Sequence, residues 1–344
     1  MKLPLKTKTK RISRKNNMKS MKIRSTFLAL VVSMLFVGQA QAGWFSWLFP
    51  PSTYTKTQYP IVMVGGFLAF DDILGIEYFY GIPKKLRDDG ANVILVNLSA
   101  FNGTEVRGFQ LEKRLEELKA AHGYQKFNII GHSGGATTAR FVASIRPDLV
   151  ASVTSVHGPH EGVELANWVD TLSDTLEDSG STTTAVRDTL AGLVNALGVA
   201  VEFVSGNSDG DFPQDAMAML ADYTTTTTNA FNQSHPQGVP QSSCGEGAYS
   251  VNGVRYYSWG GTSAFTNMLD PLDYFFAISS SFYSEDNDGL VGRCSSHLGK
   301  VIRDNYSMNH VDAMNHMFGL RGLFSPNPAS LYRQQANRLK SAGL

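Results

Sequence analysis

Short, continuously apolar runs alternate with segments of helical periodicity in the first half of the chain. An apolar run bounded by polar residues or glycine is typical of a strand that is buried on both faces. The intervening segments carry apolar residues on one side and charged residues on the other, which predicts amphipathic helices. The predicted strands are 60–64, 92–98, 127–130 and 150–156, and the two clearest helices are 105–122 and 136–145.

This alternation predicts the α/β class, with a mostly parallel central sheet and helices on both of its faces. In such a sheet, ligands gather at the carboxyl ends of the strands. The run 60–64 ends at Gly65-Gly66-Phe67, and the run 127–130 ends at Gly131-His132-Ser133-Gly134-Gly135. Both turns are therefore expected at the functional edge of the sheet.

The second of these turns matches G-x-S-x-G, the nucleophile elbow that joins a strand to a helix. Its serine, Ser133, is held on a cramped turn with the hydroxyl exposed. Side chains at Gly131 and Gly135 would collide with the neighbouring strand or helix, and glycine tolerates the unusual dihedral angles of the turn. A pattern this short also arises by chance, so the surrounding elements decide its meaning.

A different pattern covers residues 165–205, where helical spacing replaces the alternation. Its wide apolar face predicts either a helix packed on the core or a lid that covers the site in water and turns outward at an oil surface. We take 165–205 as a helical lid or cap. Further on, a strand is predicted at 254–259, and the threonine run 224–228 is predicted as a surface loop or a stiff edge.

The N-terminus has the composition of a signal peptide. Ten Lys and Arg residues and no acidic residue precede an apolar run, and Ala40-Gln41-Ala42 then supplies a small-x-small cleavage site. The apolar run is too short to span a bilayer comfortably. We predict that 1–42 is a cleaved signal peptide and that 43–344 is a single catalytic domain. The alternatives are a start at Met18 or Met21, or an uncleaved anchor.

Charge and cysteine content narrow the choice of function. The formal net charge of the 344 residues is zero, but all 30 acidic residues lie beyond the basic N-terminus. The mature protein is therefore acidic, and nucleic acid is not an expected partner. Cys244 and Cys294 both lie in the exported part. There an even pair most simply forms one disulfide, with two buried free thiols as the alternative.

A serine nucleophile needs a histidine to take its proton, and the histidine needs an acid to orient it and to stabilise its charged form. On folds with this elbow, the acid and then the histidine follow the serine along the chain. His310, in a loop near the C-terminus, is the predicted base, and the remaining histidines are assigned structural or surface roles. Asp288 is the predicted acid, with Asp286 and Glu285 as alternatives.

Two backbone N–H groups are needed to hold the oxyanion that forms during acyl transfer. One belongs to the residue after the nucleophile, Gly134, and the other to the loop after an early strand, where Phe67 is the natural choice. An oxyanion hole is therefore predicted between the two turns.

Beyond these local motifs, residues 59–156 and 256–344 resemble the secreted triacylglycerol lipases of Pseudomonas and Burkholderia, the group whose folding depends on a dedicated chaperone. The stretches that carry the resemblance are long and unlike generic hydrolase motifs. They are Tyr78-Phe79-Tyr80-Gly81-Ile82-Pro83, Arg146-Pro147-Asp148-Leu149-Val150-Ala151-Ser152-Val153-Thr154-Ser155-Val156, Asn287-Asp288-Gly289-Leu290-Val291-Gly292 and Arg333-Gln334-Gln335-Ala336-Asn337-Arg338-Leu339.

The resemblance implies an α/β-hydrolase fold, a triad of Ser133, Asp288 and His310, and a disulfide between Cys244 and Cys294. It implies a secreted, monomeric enzyme that is exported through the periplasm with the help of a membrane-anchored, lipase-specific folding chaperone. The implied substrate is an acylglycerol at a lipid–water interface.

The resemblance also implies one structural calcium ion. Its ligands would be the carboxylates of Asp270 and Asp312 and the backbone carbonyls of His316 and Leu320. Calcium prefers such hard oxygen ligands. Because Asp312 lies two residues from His310, the ion would hold the loop that positions the base. Ordinary solvated turn acids are the alternative for both aspartates.

The chain departs from the family pattern at three places. Relatives usually carry His-Gly where this chain has Gly65-Gly66, a histidine where it has Gly134, and a glutamine where it has His316. The backbone donors of the oxyanion hole remain, but side chains that stiffen the loops are lost. We expect altered activity or a reshaped acyl pocket, and a role for His316 at the ion only through its carbonyl.

The sequence thus predicts an exported serine hydrolase that cleaves carboxylic esters of long-chain acylglycerols through an acyl-enzyme on Ser133. The nearest alternative is an esterase or thioesterase of the same fold that acts on short, soluble esters. A secreted binding module that keeps the fold without catalysis is the alternative from another class.

Overall fold

The computed structural model describes residues 51–67, 72–73, 76–179 and 215–344. The predicted signal peptide, 1–42, and residues 180–205 of the predicted lid lie outside the described residues. Residues from Ser52 to Leu344 cluster into one compact unit. The boundary at residue 43 stays a prediction.

A central sheet of seven strands organises this unit. Its strands are β1 (Ile61–Val64), β4 (Val93–Val96), β5 (Phe127–His132), β6 (Val150–Val156), β7 (Ser250–Val251), β8 (Val254–Gly261) and β9 (Lys300–Tyr306), and the short strands β2 (Asp72–Ile73) and β3 (Ile76–Glu77) form a separate antiparallel pair. The strand order of the central sheet is β4-β1-β5-β6-β8-β7, with β9 also paired to β8. All of its pairs are parallel except β7 with β8.

Helices connect most of the parallel strands, as the alternation along the chain predicts. The helix 105–122 is present with one more residue at its start, and the helix 136–145 begins two residues earlier, directly after Ser133. The helices are α1 (Ile82–Asp88), α2 (Thr104–His122), α3 (Gly134–Ile145), α4 (Glu164–Ser179), α5 (Ala216–Asp222), α6 (Thr225–Ser234), α7 (Pro271–Ser279), α8 (His316–Gly319) and α9 (Pro328–Ser341).

Both faces of the sheet are covered. Strands β1, β5 and β6 are buried along their whole length. Alternate residues of β1 point to opposite sides, so that Val62 and Val64 join the core formed with α2 and α3, whereas Ile61 and Met63 join the core formed with α1 and α9. This arrangement confirms the predicted α/β fold with a mostly parallel sheet.

One secondary-structure prediction is wrong. The threonine run does not form a loop or an edge, because Thr225–Ser234 is the helix α6. The hydroxyl of Thr224 accepts a hydrogen bond from the N–H of Thr227 at 3.3 Å and caps the start of this helix. The capping bond and packing of the helix outweigh the weak helix propensity of β-branched residues.

Sheet order places three turns side by side. In the parallel register, Val64 pairs with Gly131, and His132 pairs with Val156. The segments that follow β1, β5 and β6 therefore leave the sheet at adjacent points of one edge. Among the described residues, no helix is both long enough and apolar enough to cross a membrane.

Candidate active site

Ser133 lies on a sharp turn between β5 and α3, as the elbow motif predicts. Its backbone has φ 55° and ψ −129°, a conformation that a side chain-bearing residue rarely adopts. The flanking glycines are required by close backbone approach. An added Cβ would lie 2.3 Å from the backbone oxygen of Gly135 at position 131, and 2.3 Å from the backbone oxygen of Val64 at position 135.

Asp288 and His310 are in direct contact. The Nδ1 atom of His310 donates to Oδ2 of Asp288 at 2.8 Å, and the backbone N–H of His310 donates to the Asp288 carbonyl at 3.0 Å. The other carboxylate oxygen accepts the backbone N–H groups of Leu290 and Val291 at 2.9 and 2.7 Å. The carboxylate is thus fixed on one side by the backbone and on the other side by the imidazole.

The two alternative acids lie elsewhere. The Glu285 carboxylate accepts the N–H of Cys294 at 3.1 Å. The Asp286 carboxylate is largely exposed and lies 4.0 Å from Arg293. Of the three candidates, Asp288 is the one whose carboxylate hydrogen-bonds a histidine among the described residues.

Ser133 and His310 line the same cavity, which has a volume of about 210 Å³. Its wall is almost wholly apolar and includes Phe67, Met219 and Phe275. The structure therefore brings together the predicted nucleophile, the predicted base and one of the predicted oxyanion donors at the end of an apolar pocket.

A second histidine contacts the acid. The Nδ1 atom of His157 donates to the same Oδ2 atom of Asp288 at 2.6 Å, and the His157 side chain is fully buried. Burial lowers the pKa of His157 despite its hydrogen bond to Asp288, so the ring is a neutral donor. Burial by itself raises the pKa of Asp288, but His310 and His157 lower it below its usual range. Asp288 is therefore a carboxylate shared by two imidazoles.

This role of His157 does not follow from the sequence motifs, which predict a structural or surface role for it. The signal that could have found it is positional. His157 directly follows β6, the strand beside the one that ends at Ser133, and the carboxyl ends of adjacent parallel strands share one edge.

The predicted oxyanion loop comes unusually close to the nucleophile. A Cβ on Gly66 would lie 2.6 Å from Cβ of Ser133 and 3.1 Å from its Oγ. The next residue, Phe67, directs its backbone N–H to no acceptor among the described residues. Gly134 is the first residue of α3, so its N–H has no acceptor within the helix. Within the part of the chain that the structure describes, neither predicted donor therefore has an acceptor of its own, as an oxyanion hole requires.

A buried arginine holds this loop. The guanidinium of Arg107, on α2, donates to the carbonyls of Gly65 at 2.6 Å and Gly66 at 3.1 Å, and also to that of Ser99. Arg107 is 1% exposed, and no carboxylate pairs with it among the described residues. The carbonyls of Gly65 and Gly66 are separated from Arg107 by 42 and 41 positions in the chain, so the sequence carries no local signal for its hold on this loop.

A chain of hydrogen bonds connects the oxyanion loop to the loop of the base. The N–H of Gly66 donates to the Tyr78 hydroxyl at 3.0 Å, which lies 2.8 Å from Nδ1 of His132. The Nε2 atom of His132 lies 2.9 Å from the carbonyl of His310. Burial keeps the pKa of His132 well below its usual range, so the neutral ring accepts at Nδ1 and donates at Nε2.

The space beside Gly134 is occupied by aromatic rings. A Cβ at this position would lie 2.9 Å from Cζ of Phe67 and 3.0 Å from the hydroxyl oxygen of Tyr223. The two rings contact each other edge to face, with centroids 5.0 Å apart. The volume beside Gly134 is therefore taken by Phe67 and Tyr223, which form part of the pocket wall.

The predicted calcium ligands lie in a buried acidic region. Asp270 and Asp312 are 1% and 2% exposed, and no basic side chain pairs with either among the described residues. Burial, with the charges of Asp273 and Asp270, raises the pKa of Asp312 to about 6. His316 and Leu320 lie nearby in sequence, and the N–H of His316 donates to the Val311 carbonyl at 3.3 Å. Buried carboxylates without a cationic partner fit a metal ion.

Another group of side chains could hold a metal. Ligand atoms of His157, Asp288 and His310 lie within 4.8 Å of one another. Both Nδ1 atoms already donate to the Asp288 carboxylate, and a metal would have to displace those hydrogen bonds. This group is better described as an acid with two hydrogen-bonded imidazoles.

Cys244 and Cys294 form a disulfide, as predicted. Cys294 follows Asp288 by six positions, and its backbone N–H is held by Glu285. The bridge thus fastens the segment beside the candidate acid to a distant part of the chain.

The parallel sheet with a serine elbow after its central strand defines the α/β-hydrolase class of protein. The family model described as alpha/beta hydrolase fold matches residues 59–313. The chain is 48% identical to a triacylglycerol lipase of Vibrio cholerae over 92% of this chain and 99% of that protein. It is 42% identical to a triacylglycerol lipase of Pseudomonas fragi, over 84% of this chain and 98% of that protein.

Solved structures show the same fold at much lower identity. The Bacillus licheniformis lipase BlEst2 superposes with a TM-score of 0.51 at 16% identity, over 78% of this chain and 90% of that chain. The metagenomic carboxyl esterase MGS0156 gives a TM-score of 0.53 at 17% identity, over 83% of this chain and 77% of that chain. The chain belongs to the triacylglycerol lipase family of α/β hydrolases.

Proposed function

We propose that this protein hydrolyses carboxylic ester bonds of triacylglycerols at a lipid–water interface. The observation that carries the proposal is the apolar cavity that contains both Ser133 and His310, with Asp288 hydrogen-bonded behind the imidazole. An apolar wall suits an acyl chain, and a serine–histidine–aspartate arrangement suits acyl transfer. The names of the relatives support the same substrate class.

In the proposed mechanism, the Ser133 hydroxyl attacks the ester carbonyl carbon while Nε2 of His310 takes its proton. The N–H groups of Phe67 and Gly134 hold the oxyanion that forms. His310 then gives the proton to the leaving alkoxide, and an acyl group remains on Ser133. A water molecule, deprotonated by His310, attacks the acyl carbonyl carbon; the bond between this carbon and Oγ of Ser133 breaks, His310 returns the proton to Oγ, and the fatty acid leaves. Asp288 keeps the imidazole oriented and stabilises its charged form.

The direct test is covalent labelling by a serine-directed phosphonate. We expect one label on the wild-type protein and none on Ser133→Ala. A wild-type protein that folds but takes up no label would favour the non-catalytic binding module.

A chain-length profile separates the lipase from the esterase of the same fold. We expect emulsified triolein to be hydrolysed at a rate comparable to that of tributyrin, with both activities lost in Ser133→Ala. If the long-chain emulsion is turned over far more slowly than a short soluble ester, the protein is an esterase instead.

We further propose that one calcium ion is held by the carboxylates of Asp270 and Asp312 with the carbonyls of His316 and Leu320. The support is the burial of the two carboxylates without a basic partner. When bound, the ion would supply positive charge to this region. Asn309 links the region to the base, because its side-chain N–H donates to Asp273 at 2.6 Å and its Oδ1 accepts the N–H of Asp312.

The remaining proposals concern the life cycle of the protein. We propose that residues 1–42 are removed, that the protein folds with a membrane-anchored chaperone, and that it is exported through the periplasm and secreted as a monomer. We also propose that a lid lies within 165–205. The helix Glu164–Ser179 and the cavity-lining Leu165 and Ala166 support a cap at the start of that segment. N-terminal sequencing of the protein from culture medium tests the cleavage, with Gly43 as the expected first residue.

A further inference from the structure

Two exposed turns carry large apolar side chains at their tips. In the turn from Asn267 to Asp270, the N–H of Asp270 donates to the Asn267 carbonyl at 2.9 Å, and the central residues Met268 and Leu269 are 70% and 74% exposed. Turn centres normally carry glycine, proline or short polar residues. Two adjacent apolar residues at this exposure therefore require an explanation other than turn formation.

The second turn has the same design. The N–H of Ser325 donates to the Gly322 carbonyl at 3.0 Å. Its central residues, Leu323 and Phe324, are 97% and 94% exposed, so they contact almost nothing in the protein. We call the four side chains of Met268, Leu269, Leu323 and Phe324 the apolar prong.

The two turns are held together as one surface. The side-chain N–H of Asn267 donates to the carbonyl of Arg321 at 3.1 Å. A Cβ on Gly322 would lie 3.0 Å from the backbone oxygen of Thr266. Because the backbones are in contact, the prong is presented in a fixed arrangement rather than on two independent loops.

The apolar surface continues from the prong to the cavity. The helix α7 begins directly after the first turn, and its residue Phe275 both lines the cavity of Ser133 and is 43% exposed. Tyr274 and Ile278 of the same helix are 54% and 68% exposed. Because the Tyr274 hydroxyl donates to the Met268 carbonyl at 3.1 Å, this helix joins the first turn of the prong to the cavity where an acyl chain would enter.

We propose that the apolar prong inserts into the surface of the lipid aggregate and holds the cavity mouth against it; this inference rests on the proposed lipase function. The prong is convex, since its side chains occupy the tips of turns. A fluid lipid surface accepts a convex apolar tip without a preformed partner pocket, whereas a second copy of the chain would need a matching concavity. Continuity with the acyl cavity favours the same occupant, because the surface that supplies the substrate is then the surface that is bound.

The test measures partition onto phosphatidylcholine vesicles that contain triolein, in a Ser133→Ala background so that no substrate is consumed. Two double variants are compared, Leu323→Ser/Phe324→Ser and Met268→Ser/Leu269→Ser, and each is called a pair. Each pair is expected to weaken partition roughly tenfold or more, because two large apolar side chains are removed from the buried area. The matched control is Val106→Ser, an exposed apolar residue on α2 that is expected to leave partition unchanged.

Partition that is unchanged in both pairs, or that falls equally in the control, overturns the proposal. The proposal is also overturned if analytical ultracentrifugation shows a dimer that becomes a monomer in the double variants while partition stays unchanged. The prong would then be a contact between two copies of the protein. Hydrolysis of p-nitrophenyl butyrate by the same pairs with Ser133 restored checks that the cavity is folded. If the pairs bind the vesicles more weakly but the protein with Ser133 intact does not hydrolyse triolein, the lipid-binding surface is supported and the lipase proposal is refuted.

Discussion

Gly66→Ala is expected to inactivate the protein without unfolding it. The added Cβ would lie 2.6 Å from Cβ of Ser133, whereas carbon atoms in contact are normally about 3.5–4.0 Å apart. The loop or the nucleophile must therefore move by about 1 Å. Neither is free to do so easily, because Arg107 and Tyr78 hold the loop and the elbow is packed between β5 and α3.

The size of the effect follows from what the loop carries. The residue after Gly66 provides a predicted oxyanion donor, and loss of one such donor lowers kcat about 10²–10³-fold. A displacement of about 1 Å alone costs about 10²-fold. We therefore expect a fall in kcat of at least about 10²-fold on a soluble ester. The cost in free energy of unfolding is expected to be that of mild overpacking, about 1–3 kcal/mol.

The assay compares Gly66→Ala with Gly123→Ala in steady-state hydrolysis of p-nitrophenyl butyrate and in thermal unfolding. Gly123 ends α2 with φ 71°, and an added Cβ there meets nothing within 4 Å. Its replacement is expected to cost about 1 kcal/mol of stability from backbone strain and to leave kcat unchanged. This control separates loss of stability from loss of catalysis.

A kcat of Gly66→Ala within threefold of the wild type would refute the reasoning. It would mean that the loop yields without moving its N–H groups, or that the oxyanion is held elsewhere. A fall in kcat that is equal in Gly123→Ala would also count against it, because the effect would then be one of stability.

Three further predictions concern the groups around the site. Arg107→Met should release the oxyanion loop and so lower kcat. It should also leave buried carbonyls without a donor, at a cost of about 1–3 kcal/mol per unpaired group in the free energy of unfolding, measured by denaturant titration. If kcat and the free energy of unfolding are both unchanged, the arginine does not hold the loop. His157→Phe should remove one of the two imidazole hydrogen bonds to the buried Asp288 carboxylate and cost about 1.5–3 kcal/mol in a denaturant titration, because a hydrogen bond to a charged group is lost. An unchanged stability would mean that the second histidine does not support the carboxylate. Chelation with EGTA should lower the melting temperature of the wild type but not that of the double variant Asp270→Asn/Asp312→Asn, because only the wild type has the ligands of the proposed ion. An equal change in the melting temperature of the two proteins would count against calcium at these carboxylates.

Gly65 and Gly134, where the resemblance implies histidines, have different physical consequences. At Gly134, the missing side chain is replaced by the rings of Phe67 and Tyr223, so the pocket wall is rebuilt from aromatic carbon. At Gly65, the loop is held through its carbonyl by Arg107 rather than by a side chain of its own. The glycines in the two turns therefore do not leave the loops unsupported, because other side chains hold them.

The order of strands and helices and the position of the elbow were readable from the sequence, because each depends on a local pattern. Apolar runs gave β1, β5 and β6 within a residue or two, and helical periodicity gave α2 and α3. The disulfide was readable because a chain that is predicted to be exported and has two cysteines allows one pairing. The prediction of a loop or edge for the threonine run was wrong, because its helix depends on the Thr224 cap and on packing that composition does not reveal.

The tertiary structure alone decided which groups surround the nucleophile. His157 is separated from Asp288 by 131 positions and Arg107 from Gly65 by 42, and no periodicity or spacing connects such pairs. The parallel sheet places Gly65 and His157 at one edge, because they follow β1 and β6, and the packing of α2 and of the segment after α7 against that edge brings Arg107 and Asp288 into contact with them. The sequence by itself determined the nucleophile motif and the order of candidate acid and base, whereas the shared carboxylate, the arginine-held loop and the exposed apolar prong were decided by the way the strands and loops pack.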